Sequence, residues 1–151
     1  MFDFNEATVT LPVPDGAEFG ELDGLPEGER HLTWTAAPGA FFMISAGADE
    51  AYTAAGEDAR VVSDAPAPLA GPGARRVVLR SAERRPRTLA EAPEGLRSLP
   101  ESATGQLSDL LFVPGAAQHL RIGYRVDEDA PEAVRAQLAR MLDRVEVRPH
   151  A

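Results

Sequence analysis

Residues 106–148 constrain the fold more than any other part of the sequence. The apolar run at residues 107–113 ends at Pro114 and Gly115, which suit a turn because proline presets φ and glycine accepts positive φ. In the next run, residues 119–126, every second residue is apolar, which is typical of a strand with one buried face. The apolar members of this run are Leu120, Ile122, Tyr124 and Val126. The two runs predict an antiparallel hairpin.

An amphipathic helix is predicted directly after this hairpin, over residues 131–145. Asp129 is a good N-cap, Pro131 fits the first turn, and Glu132 lies three residues after the cap. Apolar residues then follow at helical spacing, while arginines take the other face. The apolar residues are Val134, Leu138, Met141, Leu142 and Val145. Residues 145–147 predict a last short strand before Pro149.

The first third of the chain predicts a strand and a second hairpin. Residues 7–11 alternate and predict the strand, whereas residues 15–30 predict an irregular loop in which Phe19, Leu22 and Leu25 are anchors. Residues 31–36 and 41–45 flank Pro38 and Gly39, so the same turn chemistry predicts a hairpin here.

The middle of the chain is less regular. A short helix is predicted over residues 49–56, a brief strand over 60–63, and another strand over 75–82. Residues 64–73 are predicted to be irregular because proline and glycine interrupt them throughout. A long proline-rich loop is predicted over residues 84–106. The whole chain, 1–151, is predicted to be a single globular domain.

Composition excludes several classes of protein. The chain has no cysteine and therefore no disulfide framework, and no apolar run approaches the length of a membrane span. The N-terminus is acidic and lacks a signal-peptide core, so we expect a cytoplasmic protein if Met1 is the native start. All 15 basic residues are arginine, which indicates a GC-rich bacterial genome. Net charge is −9, which disfavours nucleic-acid binding.

Patterns that carry catalytic or metal chemistry are absent from the sequence. There is no G-x-S-x-G elbow and no phosphate-binding loop, and His31, His119 and His150 lie at strand starts or in the C-terminal tail. Zinc would need clustered His or Cys ligands, and none occurs. The acidic run at residues 127–129 could hold a hard cation, but capping already explains Asp129. We therefore predict no catalytic residue, no metal and no cofactor.

The densest charged feature is a cluster of six arginines within residues 75–87, opposed only by Glu83. Guanidinium groups bind carboxylates and phosphates bidentately, so the cluster could dock an acidic protein or a phosphate-bearing ligand. The alternative is a solvated strand end in an arginine-only protein. The six residues are Arg75, Arg76, Arg80, Arg84, Arg85 and Arg87.

A second candidate surface is apolar. If the sheet carries a helix on only one side, Phe41, Met43, Leu111 and Tyr124 would line an open groove. Such a patch marks a partner or ligand site, although core packing is the favoured explanation for each residue taken singly.

The order of elements resembles the Mog1/PsbP-like family. The resemblance lies in residues 7–14 (ATVTLPVP), 68–79 (PLAGPGARRVVL) and 120–147, where a strand leads into a helix and a short final strand. It implies an α/β/α arrangement around a twisted antiparallel sheet. It also implies adaptors, chaperones or accessory subunits, among them Eag-type chaperones that cradle apolar helices.

These observations predict an α+β fold, with a twisted, mainly antiparallel sheet built from hairpins and packed by a C-terminal helix. The leading functional hypothesis is a non-catalytic interaction module, an adaptor or chaperone-like protein that binds another protein. The alternative is a small-ligand carrier that holds an apolar or anionic molecule between the sheet and the helix. The oligomeric state is left open.

Overall fold

The structure is a computed structural model that describes residues 1–47, 59–81 and 105–150. These residues contain ten strands, one α-helix and a short 3-10 helix at Pro68–Ala70. The strands are β1 (Phe2–Asp3), β2 (Ala7–Thr10), β3 (Gly20–Glu21), β4 (Arg30–Ala37), β5 (Ala40–Gly47), β6 (Ala59–Pro66), β7 (Arg75–Ser81), β8 (Gln106–Val113), β9 (His119–Asp127) and β10 (Glu146–Pro149). The helix α1 spans Glu132–Asp143.

The strands form two sheets in which every neighbouring pair is antiparallel. The large sheet has the order β3-β4-β5-β9-β8-β7-β6, and the small sheet has the order β1-β2-β10. Both predicted hairpins are confirmed, as β4–β5 and β8–β9, and they join side by side through β5 and β9. A mainly antiparallel sheet with a C-terminal helix confirms the α+β class.

Glycine makes the turn between β4 and β5 possible. Gly39 has a φ of +74°, a backbone conformation that other residues rarely adopt. A Cβ at this position would also collide with the carboxylate of Asp127 on β9. The Asp127 amide donates a hydrogen bond of 2.8 Å to the Gly39 carbonyl. The tight turn therefore brings the end of β9 against the first hairpin.

The helix covers one face of the large sheet, which we call the helix face. On this face Phe42, Ile44 and Ile122 are completely buried, together with Leu138 of the helix. The alternating residues predicted for β9 all belong to this core, as do the helical residues Met141 and Leu142. The predicted amphipathic patterns of β9 and α1 are confirmed, because both apolar stripes meet in one core.

The opposite face, which we call the far face, has its own smaller core. Met43, Val77, Leu79 and Leu110 are buried there, and Phe41 and Phe112 pack against them. Strand pleating explains the division, since successive side chains of one strand point to opposite faces. Phe42 and Ile44 therefore lie on the helix face, while Met43 lies on the far face.

The small sheet joins the two ends of the chain. Val147 on β10 pairs with Val9 on β2, and Phe2 on β1 pairs with Val9 from the other side. Val9 is completely buried in the helix-face core. The predicted final strand is thus confirmed, and its pairing partner is the first predicted strand of the chain.

The prediction that Asp129 caps the helix is wrong. The helix begins at Glu132 with Pro131 in the cap position, and no side chain caps it. The Ala130 amide donates to the Asp127 carbonyl at 3.0 Å, which makes a separate turn before the helix. Proline's fixed φ then suits the entry into the helix, so a side-chain cap is not needed for it to start.

Two further predictions need correction, and others lie outside the described residues. Leu22 is not a buried anchor, since it is 56% exposed, whereas Phe19 packs on Trp34 and Phe42. Residues 64–73 are not irregular throughout, because β6 continues to Pro66 and a 3-10 helix follows. The short helix predicted over 49–56 lies outside the described residues. So do residues 84–104 of the loop predicted over 84–106. Gln106, the end of that predicted loop, begins β8.

Candidate functional site

One row of side chains crosses five adjacent strands of the far face. In register, His31 pairs with Ser45, Ser45 with Arg121, Arg121 with Phe112, and Phe112 with Arg75. Strands lie about 4.8 Å apart, so the row is roughly 19 Å long. We call these five residues the cross-strand row.

A cavity of about 730 Å³ lies on this row, and all five of its residues line it. The volume is within the range of about 300–1,000 Å³ that is typical of small-molecule sites. Val77 of the far-face core lines it as well, as do Leu22 and Leu25 from the segment before β4. The cavity thus combines apolar walls with a few cationic groups.

The arginines that line the cavity differ in how they are neutralised. Arg75 donates from Nε to Asp64 Oδ1 at 2.7 Å, and its side chain is 44% exposed. Arg30, also a lining residue, donates from Nε to Glu21 Oε1 at 2.7 Å. Arg121 is partly buried and forms no ion pair with any residue that the structure describes. Of the three lining arginines, Arg121 is therefore the one that no described carboxylate pairs with.

His31 is held beside this arginine in its neutral form. Its Nδ1 lies 2.6 Å from Ser45 Oγ, its neighbour in the cross-strand row. Burial lowers the pKa of His31 below its usual value, and the positive charge of Arg121 lowers it further. At neutral pH the imidazole therefore adds hydrogen-bonding capacity to the cavity and no charge.

The helix face contains a polar network that the sequence did not indicate. Asp109 is buried and accepts two hydrogen bonds from Arg76, from Nε at 3.0 Å and Nη2 at 2.9 Å. The Tyr124 hydroxyl donates to Asp109 at 3.1 Å, and Arg76 Nη1 reaches Asp143 at the end of α1 at 2.7 Å. These pairs raise the pKa of Arg76. The network fixes the C-terminal end of the helix to the sheet.

Three of the six clustered arginines fall within the described residues. Arg76 belongs to the network just described, and Arg80 donates from Nε to Glu128 at 3.0 Å. Strand pleating places both on the helix face, while Arg75 lies on the far face and lines the cavity. All three are paired with acids of the same chain. Arg84, Arg85 and Arg87 lie outside the described residues.

The four residues predicted to line an apolar groove are divided between the two faces. Met43 is buried in the far-face core and Phe41 packs against it, whereas Leu111 and Tyr124 are buried in the helix-face core. They do not form one surface. The cavity lies on the far face and not between the sheet and the helix, where Leu138 is completely buried.

The histidines lie where the sequence placed them, at strand starts and in the tail. His31 is the second residue of β4, and His119, also a lining residue, is the first of β9. His150 directly follows β10, and its Nε2 lies 2.9 Å from the Thr8 hydroxyl on β2. Within the described ranges, no group of three or more His, Cys, Asp or Glu side chains could hold a metal ion. Among those same residues, no helix is long and apolar enough to cross a membrane.

Comparison of the chain with protein-family models, with curated proteins and with solved structures gives no match.

Sequence reasoning missed Ser45 and Arg121 as members of a site. Both stand at polar positions of alternating strands, where a solvated side chain is the usual explanation. The signal that could have found Arg121 is its strand, since β9 carries two arginines on the far face, Arg121 and Arg125. Of these, Arg121 pairs with apolar Phe112 on the neighbouring strand. Only the pairing of β5 with β9 brings Ser45 and Arg121 together.

Proposed function

We propose that this chain is a non-catalytic binding protein that holds a small molecule in the cavity on the cross-strand row. The single observation that carries the proposal is the cavity of about 730 Å³, with apolar walls from Val77 and Phe112 and polar groups grouped at Arg121. Ligand sites usually combine mostly apolar lining with a few placed polar groups. This is the small-ligand carrier of the sequence analysis, with its ligand on the far face.

A binding role fits the polar pair in the cavity better than a catalytic role. Ser45 and His31 are hydrogen-bonded, as a nucleophile and its base would be. Nucleophilic catalysis also needs a third group that orients the base, and no described acid is hydrogen-bonded to His31. Since the two residues are direct cross-strand neighbours, sheet pairing alone accounts for their contact.

A neutral apolar probe tests the proposal. Decanol should bind to the native chain and shift the backbone NMR signals of residues that line the cavity, with those of Val77 and Phe112 among them. Ser45→Phe places a large side chain in the cavity between His31 and Arg121 and should abolish these shifts. Thr35→Phe is the matched control, because Thr35 is an exposed residue of the same hairpin and does not line the cavity. Absence of binding to the native chain contradicts the proposal.

Protein binding is the second candidate, and exposed aliphatic side chains favour it. Val61 and Val62 on β6 are 54% and 56% exposed, and Leu69 in the following 3-10 helix is completely exposed. In the described part of the sheet β6 is the terminal strand, and edge strands can pair with other chains. A partner retained by the native chain in an affinity pull-down and lost by Val62→Asp would support this function. A partner retained equally by both chains would place binding elsewhere.

The Mog1/PsbP-like family and a cytoplasmic location stay predictions from the sequence. The order of a strand, a C-terminal helix and a short final strand, which carried part of the resemblance in residues 120–147, supports keeping the family as a proposal. An experimental structure whose strand order differs from that of the family would contradict the assignment. Fractionation of the native host would test the location.

A further inference from the structure

We propose that the cavity selects molecules with an anionic head group and that Arg121 binds that group. The inference rests on the proposed function, since it requires that the cavity hold a small molecule. It adds the chemical class of that molecule, an amphipathic carboxylate or a similar monoanion.

The position of Arg121 is the first reason. It lies in the middle of the cross-strand row, with Ser45 on one side and Phe112 on the other. Its side chain is partly buried and has no carboxylate partner among the described residues. A guanidinium that has lost part of its hydration gains most from an anion that accepts two of its hydrogen bonds. The cavity gives such an anion access to it.

The charge around Arg121 is the second reason. Among the described residues that line the cavity, Glu29 is the one carboxylate, against three arginines. Arg30 and Arg75 are already paired with Glu21 and Asp64, so they add little further attraction. The whole chain, by contrast, carries a net charge of −9. Arg121 is therefore the one lining arginine that no described acid pairs with, and it is the group of the cavity that attracts an anion.

The neighbours of Arg121 define the rest of the ligand. Ser45 is the cross-strand neighbour of Arg121, and its hydroxyl, 2.6 Å from His31 Nδ1, adds a hydrogen-bonding group to the same cavity. On the other side, Phe112 is the cross-strand neighbour of Arg121, and it and Val77 give the same cavity an apolar surface. A molecule with a carboxylate at one end and a hydrocarbon body matches both parts of this lining.

Three probes with the same hydrocarbon chain and different head groups test the inference: decanoate, decanol and decylamine. Their affinities for the native chain are measured by NMR titration at pH 7.5 and low salt. We expect decanoate to bind at least about tenfold more tightly than decanol, because a hydrogen bond between two charged groups is stronger than one to a neutral hydroxyl. Decylamine, which is cationic at this pH, should bind most weakly.

Substitution of the arginine assigns the effect to one residue. Arg121→Gln should remove the preference for decanoate, so that decanoate and decanol bind this variant with about the same affinity. Arg125→Gln is the matched control, since Arg125 lies on the same strand and the same face but does not line the cavity. It should keep the preference.

Each other result has a defined meaning. If the native chain binds the three probes equally, the anion inference is wrong and the proposed function stands. If Arg121→Gln keeps the full preference for decanoate, the assignment to Arg121 is wrong. If the native chain binds none of the probes, both the inference and the proposed function are overturned.

Discussion

Arg76 holds both carboxylate oxygens of Asp109, with Nε 3.0 Å from Oδ1 and Nη2 2.9 Å from Oδ2. The acid is buried and the arginine about one-third exposed, so this bidentate pair lies at the boundary of the helix-face core. Through Asp143, the same guanidinium also reaches the end of α1. The pair therefore links three elements, and its loss should have a larger effect than the loss of a surface ion pair.

We expect Asp109→Ala to lower the free energy of unfolding by about 3 kcal/mol, because it leaves a partly buried guanidinium without its main partner. Arg80→Ala is the control. It breaks the Arg80–Glu128 pair, whose side chains are 53% and 41% exposed, and should cost no more than about 1 kcal/mol. Urea denaturation of both variants checks this. If both variants lose the same free energy of unfolding, burial does not strengthen the Arg76–Asp109 pair.

Tyr124 should make the protein less stable at alkaline pH. Burial raises its pKa, as do the charge of Asp109 and the hydrogen bond to it. The unfolded chain releases the phenol proton near pH 10, while the folded chain keeps it to higher pH. The free energy of unfolding that the protonated Tyr124 hydroxyl contributes is therefore complete below about pH 10 and is lost as the pH rises. Tyr124→Phe should flatten this decline in urea midpoints measured from pH 8 to 11; parallel curves for the two proteins would contradict the expectation.

His31 should make the protein less stable at acidic pH. Its folded pKa is lowered, by burial first and by Arg121 second. The unfolded chain protonates the His31 imidazole near pH 6.5, and the folded chain does so only at lower pH. The contribution of the neutral imidazole to the free energy of unfolding is therefore complete above about pH 6.5 and is lost as the pH falls. Arg121→Gln should raise the pKa of His31, followed by NMR titration of its imidazole signals. No change in that pKa would mean that burial alone sets it.

Gly123 should not tolerate any side chain. A Cβ at this position would collide with the Asp109 carbonyl oxygen and lie 2.8 Å from Leu110 Cα, both on the neighbouring strand β8. We expect Gly123→Ala to cost about 2 kcal/mol or more in free energy of unfolding, as in other overpacked cores. Gly20→Ala is the matched control, since the nearest atom to its Cβ would be 4.0 Å away. A loss in Gly20→Ala as large as that in Gly123→Ala would show that close contact is not the cause.

The sequence predicted most of the local structure correctly. Alternation in residues 119–126 identified the buried side of β9, and the apolar spacing after Pro131 identified the buried stripe of α1. These patterns are local, because strand pleating and the helical turn repeat within a few residues. The helix start was less predictable, since Asp129 suits a cap in sequence while the turn at Asp127–Ala130 moves the start to Glu132.

The candidate site could not be predicted in the same way. Its central residues, Ser45 and Arg121, are adjacent only because β5 pairs with β9 in one particular register. Likewise, the division of Arg75 from Arg76 follows from which face of β7 meets the helix. The sequence alone determined the two hairpins, the strand β2 and the helix, because each depends on the period of its own residues. The tertiary structure alone decided which distant strands became neighbours, because register is set by burying two apolar faces at once, and no local pattern carries that information.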